Sequence, residues 1–250
     1  MFRMKLKPWV LAGLLGAAAL SQAQAAELIQ NGGFEVQGVD SYDISGWQVG
    51  EQGFLGGVLS QSGTVSEVTG NTTVGAYQGS YYGLLDNYGL AASVLYQSFT
   101  TAAVSQATLS FQMFVNNQHA TTEIDAAGLD YSVDATDHAN QHVRVDVLKA
   151  GSDPFSTNSA DILQTLYVGG ANGGLAVNDY VNYQFDLSSA LAGGGSYVLR
   201  FATVANQGSL QLGLDNVSLQ TVSSVPEADT NALMLAGLGL MAAVMRRRYS

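Results

Sequence analysis

Apolar residues that alternate with polar ones at a period of two recur along this chain, and that period limits the local backbone to extended strands. In 107–115, ATLSFQMFV, the residues Leu109, Phe111, Met113 and Val115 fall on one face. In 142–148, HVRVDVL, Val143, Val145 and Val147 oppose Arg144 and Asp146. The stretch 181–187, VNYQFDL, sets Val181, Tyr183, Phe185 and Leu187 against Asn182, Gln184 and Asp186, and 197–203, YVLRFAT, repeats the pattern with Tyr197, Leu199 and Phe201. Successive side chains of a strand point to opposite faces, so each stretch reads as a half-buried strand. A last strand is read at 210–220, LQLGLDNVSLQ.

Between these stretches lie turn residues: NGG at 31–33, FLGG at 54–57, GGANGG at 169–174 and AGGG at 192–195. Glycine and asparagine tolerate the positive φ that tight turns need. No internal stretch sustains a helical apolar period. Half-buried strands must close their apolar faces against a second layer, so the expected fold is all-β, an antiparallel two-sheet β-sandwich. The segment 120–140 has few apolar residues and five acids and is read as a long loop with at most one short strand.

The two ends have a different composition. Arg3, Lys5 and Lys7 precede an apolar run from Trp9 to Leu20, and Ala23-Gln24-Ala25 supplies small residues. That order is a secretory signal peptide over 1–25, cut by signal peptidase before Ala26 or Glu27. At the other end an apolar segment from Ala232 to Met245 is followed by Arg246, Arg247 and Arg248. It is shorter than the roughly 20 residues an unassisted membrane helix needs. The expected organisation is a signal helix over 1–25, a sandwich body over 26–223, and a tail over 224–250 with a short hydrophobic helix. The body is then about 200 residues, enough for a core of its own.

Charge narrows the partners. The chain carries a formal net charge of −11, but six of its nine basic residues lie in the terminal segments. The body keeps 18 acids against Arg144, Lys149 and Arg200, a balance of −15. Nucleic acid and anionic membrane surfaces require clustered Lys and Arg, so both are excluded as partners of the body. Divalent cations, which take carboxylate and carbonyl oxygens, are compatible with it. Cysteine is absent, which removes disulfides, thiolate metal sites and cysteine nucleophiles.

The tail resembles the PEP-CTERM sorting signals of Gram-negative bacteria that make exopolysaccharide. It has Val225-Pro226-Glu227, then the Gly-, Ala- and Leu-rich segment, then Arg246-Arg247-Arg248. The family's box is Pro-Glu-Pro, and here the third position is Ala228. The resemblance implies transient insertion in the inner membrane, cleavage by an exosortase, and delivery to the cell surface or extracellular matrix. Arginines hold a tail end in the cytoplasm, and small residues let a helix pack closely on a partner. A plain C-terminal anchor is the alternative.

The body is similar to galactose-binding-like jelly rolls of carbohydrate-binding modules. The similarity rests on LIQNGGFEVQ at 28–37, SGWQV at 45–49, GSYYGLLDN at 79–87, LYQSFTT at 95–101 and LDNVSL at 214–219. In that fold the first and last strands lie close together, and many members hold a structural calcium ion there. The resemblance places Glu35 and Asp215 at that region, either as calcium ligands or as acceptors for backbone amides at strand ends. It also implies polysaccharide as a partner, with Trp47, Tyr81 and Tyr82 as candidate sugar contacts; aromatic residues are equally good core and strand residues.

Catalytic signatures are missing. There is no Gly-x-Ser-x-Gly elbow. The acids Asp125, Asp130, Asp134 and Asp137 do not have EF-hand spacing, and His138 and His142 lack the adjacent glutamate of a zinc protease. The expectation is a non-catalytic exported protein that associates with polysaccharide. Its rivals are a structural surface or biofilm component without specific sugar binding, and a secreted glycoside hydrolase.

Residues 26–224 expressed without either terminal segment are expected to unfold in one cooperative transition. A gradual, probe-dependent loss of signal with denaturant would show that the body needs its ends.

Overall fold

A computed structural model of the chain describes residues 25–119, 124, 128–132, 139–170, 177–224 and 237. The expected signal helix and, apart from Gly237, the expected tail helix, together with Val225, Pro226, Glu227, Arg246, Arg247, Arg248 and His138, lie outside the described residues. Among the described residues no helix is long and apolar enough to cross a membrane. Residues Gln24–Pro226 form one compact unit.

The unit is an antiparallel β-sandwich. Its first sheet has the order β3 (Gly56–Ser62), β4 (Tyr81–Asn87), β11 (Leu210–Ser223), β6 (Val104–Asn117), β9 (Val181–Asp186), and β1 (Ala25–Glu27) pairs with the far end of β11. The second sheet runs β2 (Gln48–Gly53), β5 (Ala91–Thr101), β10 (Gly195–Ala205), β7 (Gln141–Lys149), β8 (Ile162–Gly169). One helical turn, α1 (Ser188–Leu191), joins β9 to β10. The alternating residues meet between the sheets as expected: Leu109, Phe111 and Met113 from β6 face Val143, Val145 and Val147 from β7 and Leu199 and Phe201 from β10. Burying such side chains contributes about 1.5–3 kcal/mol each.

The outer faces depart from the simple picture of a half-buried sheet, because segments of the chain lie over both. On the first sheet, Leu59, Tyr82, Leu84 and Phe114 are covered by Val68, Val74, Ala76 and Tyr180. On the second, Ala92, Val94, Ala202 and Val204 are covered by Leu129, Tyr131 and Phe155. The segment 120–140, read as a long loop with at most one short strand, contributes Leu129 and Tyr131 to a small core, and its described residues contain no strand.

Covering the second sheet also buries its polar residues. Asp146 of β7 stands opposite Arg200 of β10 and both are fully buried. Arg144 donates to both oxygens of Asp146 at 2.8 and 2.9 Å, Arg200 donates to Asp146 Oδ2, and Thr165 donates to Oδ1 at 2.8 Å. The other side of Arg200 donates to the carbonyls of Pro154 and Ser156, each at 2.7 Å, and so holds the segment bearing Phe155 onto the sheet. Burial pushes the Asp146 carboxyl up, but Arg144 and Arg200 outweigh it and leave the group below the usual carboxylate range. A buried charge is tolerated only when paired and hydrogen-bonded in this way.

Asp146→Asn is expected to cost about 3–5 kcal/mol at neutral pH, because it leaves Arg200 buried without its counter-charge. Since the folded-state pKa of Asp146 is depressed, its contribution is present above the unfolded-state pKa and lost as pH falls through the native value. The deficit of the variant, measured by chemical denaturation at several pH values, should therefore shrink in acid; a pH-independent deficit would assign the loss to packing.

Candidate functional site

The NGGFE stretch and the LDNV stretch, far apart in sequence, are built against each other. β11 carries an irregularity between Asp215 and Ser218, where Asn216 has φ +49°, a left-handed conformation that asparagine adopts more readily than most residues. The 31–34 turn docks on this bulge: Val217 N–H donates to Gly32 O at 2.9 Å, and a Cβ on Gly32 would lie 1.8 Å from Val217 O. Only glycine allows that approach. The turn then presents Glu35 on the same side as Asp215.

Both carboxylates grip the segment that leads into β4. Asp215 Oδ2 accepts from Tyr77 and Gln78 N–H at 2.9 Å each, and Oδ1 accepts from Asn216 N–H at 2.7 Å. Glu35 Oε1 accepts from Ser80 and Tyr81 N–H at 2.8 and 3.0 Å. Gly79 sits between them at φ +77°, where a Cβ would fall 2.1 Å from Glu35 Oε1. Burial raises the pKa of Asp215, the three amides oppose the rise, and the charge of Glu35 adds to it. No His, Cys, Asp or Glu joins the pair to form a group of three among the described residues. Two side-chain oxygens and a methylene lie beside Gly33: a Cβ there would be 3.8 Å from Asn216 Oδ1, 3.9 Å from Asp215 Oδ1 and 4.0 Å from Glu35 Cγ.

The candidate sugar contacts separate. Trp47 is 7% exposed, stacks on Phe34 at 5.4 Å and donates from Nε1 to Asn31 O at 3.1 Å. Tyr82 is 0% exposed, bonds Thr73 Oγ1 at 2.6 Å, and has its hydroxyl pushed up to about 12 by burial. Neither ring has a face for a ligand, which corrects the reading of Trp47 and Tyr82 as sugar contacts; both are core residues. Tyr81, on the opposite face of the same strand, is half-buried.

Exposed aromatics lie elsewhere. Tyr77 is 53% exposed and packs edge-on against Tyr180 at 5.5 Å. Phe54, Leu55, Tyr88 and Leu90 project from two turns tied by a Tyr88 N–H to Leu55 O bond of 2.6 Å. A cavity of about 380 Å³, which sequence reasoning missed, opens where β9 stops short of β6; Val115, Asn178, Asp179, Tyr180, Val181 and Tyr183 are among its lining residues. β9 pairs with β6 only as far as Met113. Beyond it Asn178 takes over, its N–H donating to Asn116 Oδ1 at 2.9 Å and its Nδ2 to Val115 O at 2.6 Å. Nothing in the spacing of VNDY at 177–180 reveals this substitution of a side chain for a strand.

The remaining outer face of the first sheet is polar. Thr108, Ser110 and Gln112 of β6 stand beside Asp186, Gln184 and Asn182 of β9, and Ser218 and Gln220 of β11 continue two of these rows. Glu27 ends one row and secures β1: it accepts from Ile29 and Leu219 N–H at 2.7 and 2.9 Å and from Gln220 Nε2 at 2.7 Å. β11 itself runs to Ser223, and Ser224 N–H still donates to Ala103 O at 3.0 Å.

Residues 224–248 match the PEP-CTERM protein-sorting motif. The sorting motif marks the chain as an exported protein, and its first matched residue, 224, directly follows the last residue of β11 in sequence. No curated protein matches the chain. Among solved structures, it is similar to TmCBM61, solved in complex with β-1,4-galactotriose, at 13% identity and a TM-score of 0.43, covering 78% of this chain and 97% of that one. It is also similar to the K3 cleaved adhesin domain of Lys-gingipain from Porphyromonas gingivalis W83, at 14% identity and a TM-score of 0.45, covering 79% and 99%. A structure described as CBM4 matches at 13% identity and a TM-score of 0.36, covering 77% and 99%.

Asp215→Ala is expected to destabilise the protein by about 1–3 kcal/mol, through loss of the hydrogen bonds that Tyr77, Gln78 and Asn216 N–H make to a charged, buried acceptor. Hydrogen exchange at Tyr77 and Gln78 should accelerate before exchange in the central strands; unchanged rates at these two amides would show that the carboxylate does not hold the segment.

Proposed function

We propose that this is an exported, exosortase-processed protein of the cell surface or extracellular matrix that acts without catalysis and associates with polysaccharide. The observation that carries the polysaccharide reading is the uncovered face of the first sheet. Its rows of Thr, Ser, Asn and Gln, in register across β11, β6 and β9, present paired donors and acceptors to a hydroxyl-rich polymer. Contacts of that kind are individually weak and gain strength by repetition along a chain. The acidic body suits a neutral polymer better than an acidic one. Signal peptidase and an exosortase are the processing partners under this reading, and the tail inserts in the inner membrane only until it is cut.

The non-catalytic part is supported by how the buried acids are used. Asp86 and Asp215, both raised by burial, direct their oxygens to Thr69, Gln211 and backbone amides, and neither lines the cavity. A structural calcium ion at Glu35 and Asp215 belongs to the same proposal, supported by the placing of Asp215 Oδ1, Asn216 Oδ1 and the Glu35 side chain around Gly33. A second reading, a structural surface component without specific sugar binding, draws on the same polar face and on the burial of Trp47 and Tyr82.

Calorimetric titration of the full chain in detergent with exopolysaccharide from the producing cells decides between them. Saturable heat is expected. Its absence, with and without calcium, favours the structural reading. Calcium should also raise the unfolding temperature relative to chelator, and an unchanged midpoint would remove the ion from the proposal.

A further inference from the structure

The early end of β9 leaves a recess whose chemistry is more specific than that of the polar face. β6 continues to Asn117, but its neighbour beyond Met113 is the 177–180 segment, held off the strand by the side-chain bonds of Asn178. The resulting cavity, about 380 Å³, lies at the small end of ligand pockets, roughly 300–1,000 Å³. It admits one sugar ring or a chain end rather than a length of polymer.

Its lining has two kinds of surface. Tyr180 and Tyr183 are half-buried rings fixed by neighbours: Tyr180 packs on Phe114 at 5.0 Å and donates to Gly75 O at 3.0 Å, and Tyr183 stacks on Phe111 at 5.4 Å. Val181 adds a partly exposed apolar edge. Against these stands the exposed carboxylate of Asp179, the one charged side chain among the described residues of the lining. A pyranose has the matching pair of features, an apolar C–H face that lies on an aromatic ring and a rim of hydroxyls that donate to a carboxylate. The negative charge of Asp179, on a body of net charge −15, disfavours uronic, sulfated and phosphorylated sugars.

We propose that this cavity binds a single neutral pyranose unit, with Asp179 accepting from its hydroxyls and Tyr180 and Tyr183 flanking the ring. The proposal rests on the polysaccharide reading above and gives it a specific subsite. Rigid rings and a prepositioned Asn178 mean that little ordering is needed on binding.

The test uses the full chain in detergent and, as probes, the neutral and acidic saccharide fractions released by partial acid hydrolysis of exopolysaccharide from the producing cells. Asp179→Asn and Val177→Trp, both at exposed positions, remove the carboxylate and obstruct the mouth; Tyr88→Ala, on a distant turn, serves as control. At unchanged unfolding midpoints, each cavity variant is expected to weaken binding of the neutral fraction at least tenfold in calorimetry, while Tyr88→Ala leaves it intact. Undiminished binding by both cavity variants overturns the subsite but leaves polysaccharide association standing. Loss in Tyr88→Ala alone places the contact on the turns and also overturns it, as does a preference for the acidic fraction. If the unsubstituted chain binds neither polymer nor fragments, the functional reading itself fails.

Discussion

Both sheets of this sandwich are covered on both sides over much of their area, and that requirement governs most of the polar chemistry in the molecule. A strand with one wet face can leave its outward polar groups to water, but a strand under a covering segment cannot. Asp146 and Arg200 on one sheet, and Asp86 and Gln211 on the other, point outward and still lie fully or almost fully buried. Each is therefore tied to the segment that covers it or to a neighbour in the same layer: Arg200 to Pro154 and Ser156, Asp86 to Thr69 and Gln211. The covering segments stay down because these bonds fix them, and most of the buried polar atoms find partners because the segments are there; Asp86 Oδ1 and Arg200 Nε are buried without one among the described residues. Neither arrangement stands without the other.

The same constraint explains which parts of the structure the sequence reveals. Strands with clean alternation, such as β6, β7, β9 and β10, were legible because their inward residues are apolar whatever lies outside. β4 was visible only as a family likeness, since YYGLLDN puts Tyr82, Leu84 and Asp86 under cover and has no polar side to show. β8 gave no signal either: six of the eight residues of ILQTLYVG are half-buried at a sheet edge, so its pattern is blurred rather than periodic.

The candidate sites divide along similar lines. Glu35 and Asp215 were legible as a pair only through the family resemblance, and the glycines and asparagine of NGGFE and LDNV that carry it are the residues that let the turn and bulge dock. Trp47 and Tyr82 were misplaced because side-chain identity does not say whether a ring ends in the core or at the surface. The cavity was invisible because it arises from a mismatch in strand length. The start of β9 only at Val181 and the bonds of Asn178 are tertiary facts with no local pattern.

The position of β11 determines how the body answers a pull on its C-terminal end. The strand is 14 residues long, lies inside its sheet, and is bonded to β6 along nearly its whole length, with β4 on its other side at one end and β1 at the other. Consider a load applied at Ser224 along the axis of this strand. Ladder bonds perpendicular to that axis are then strained together in shear, instead of parting one at a time as in a zipper. The chain thus leaves its fold through the element whose removal requires the most bonds to fail at once.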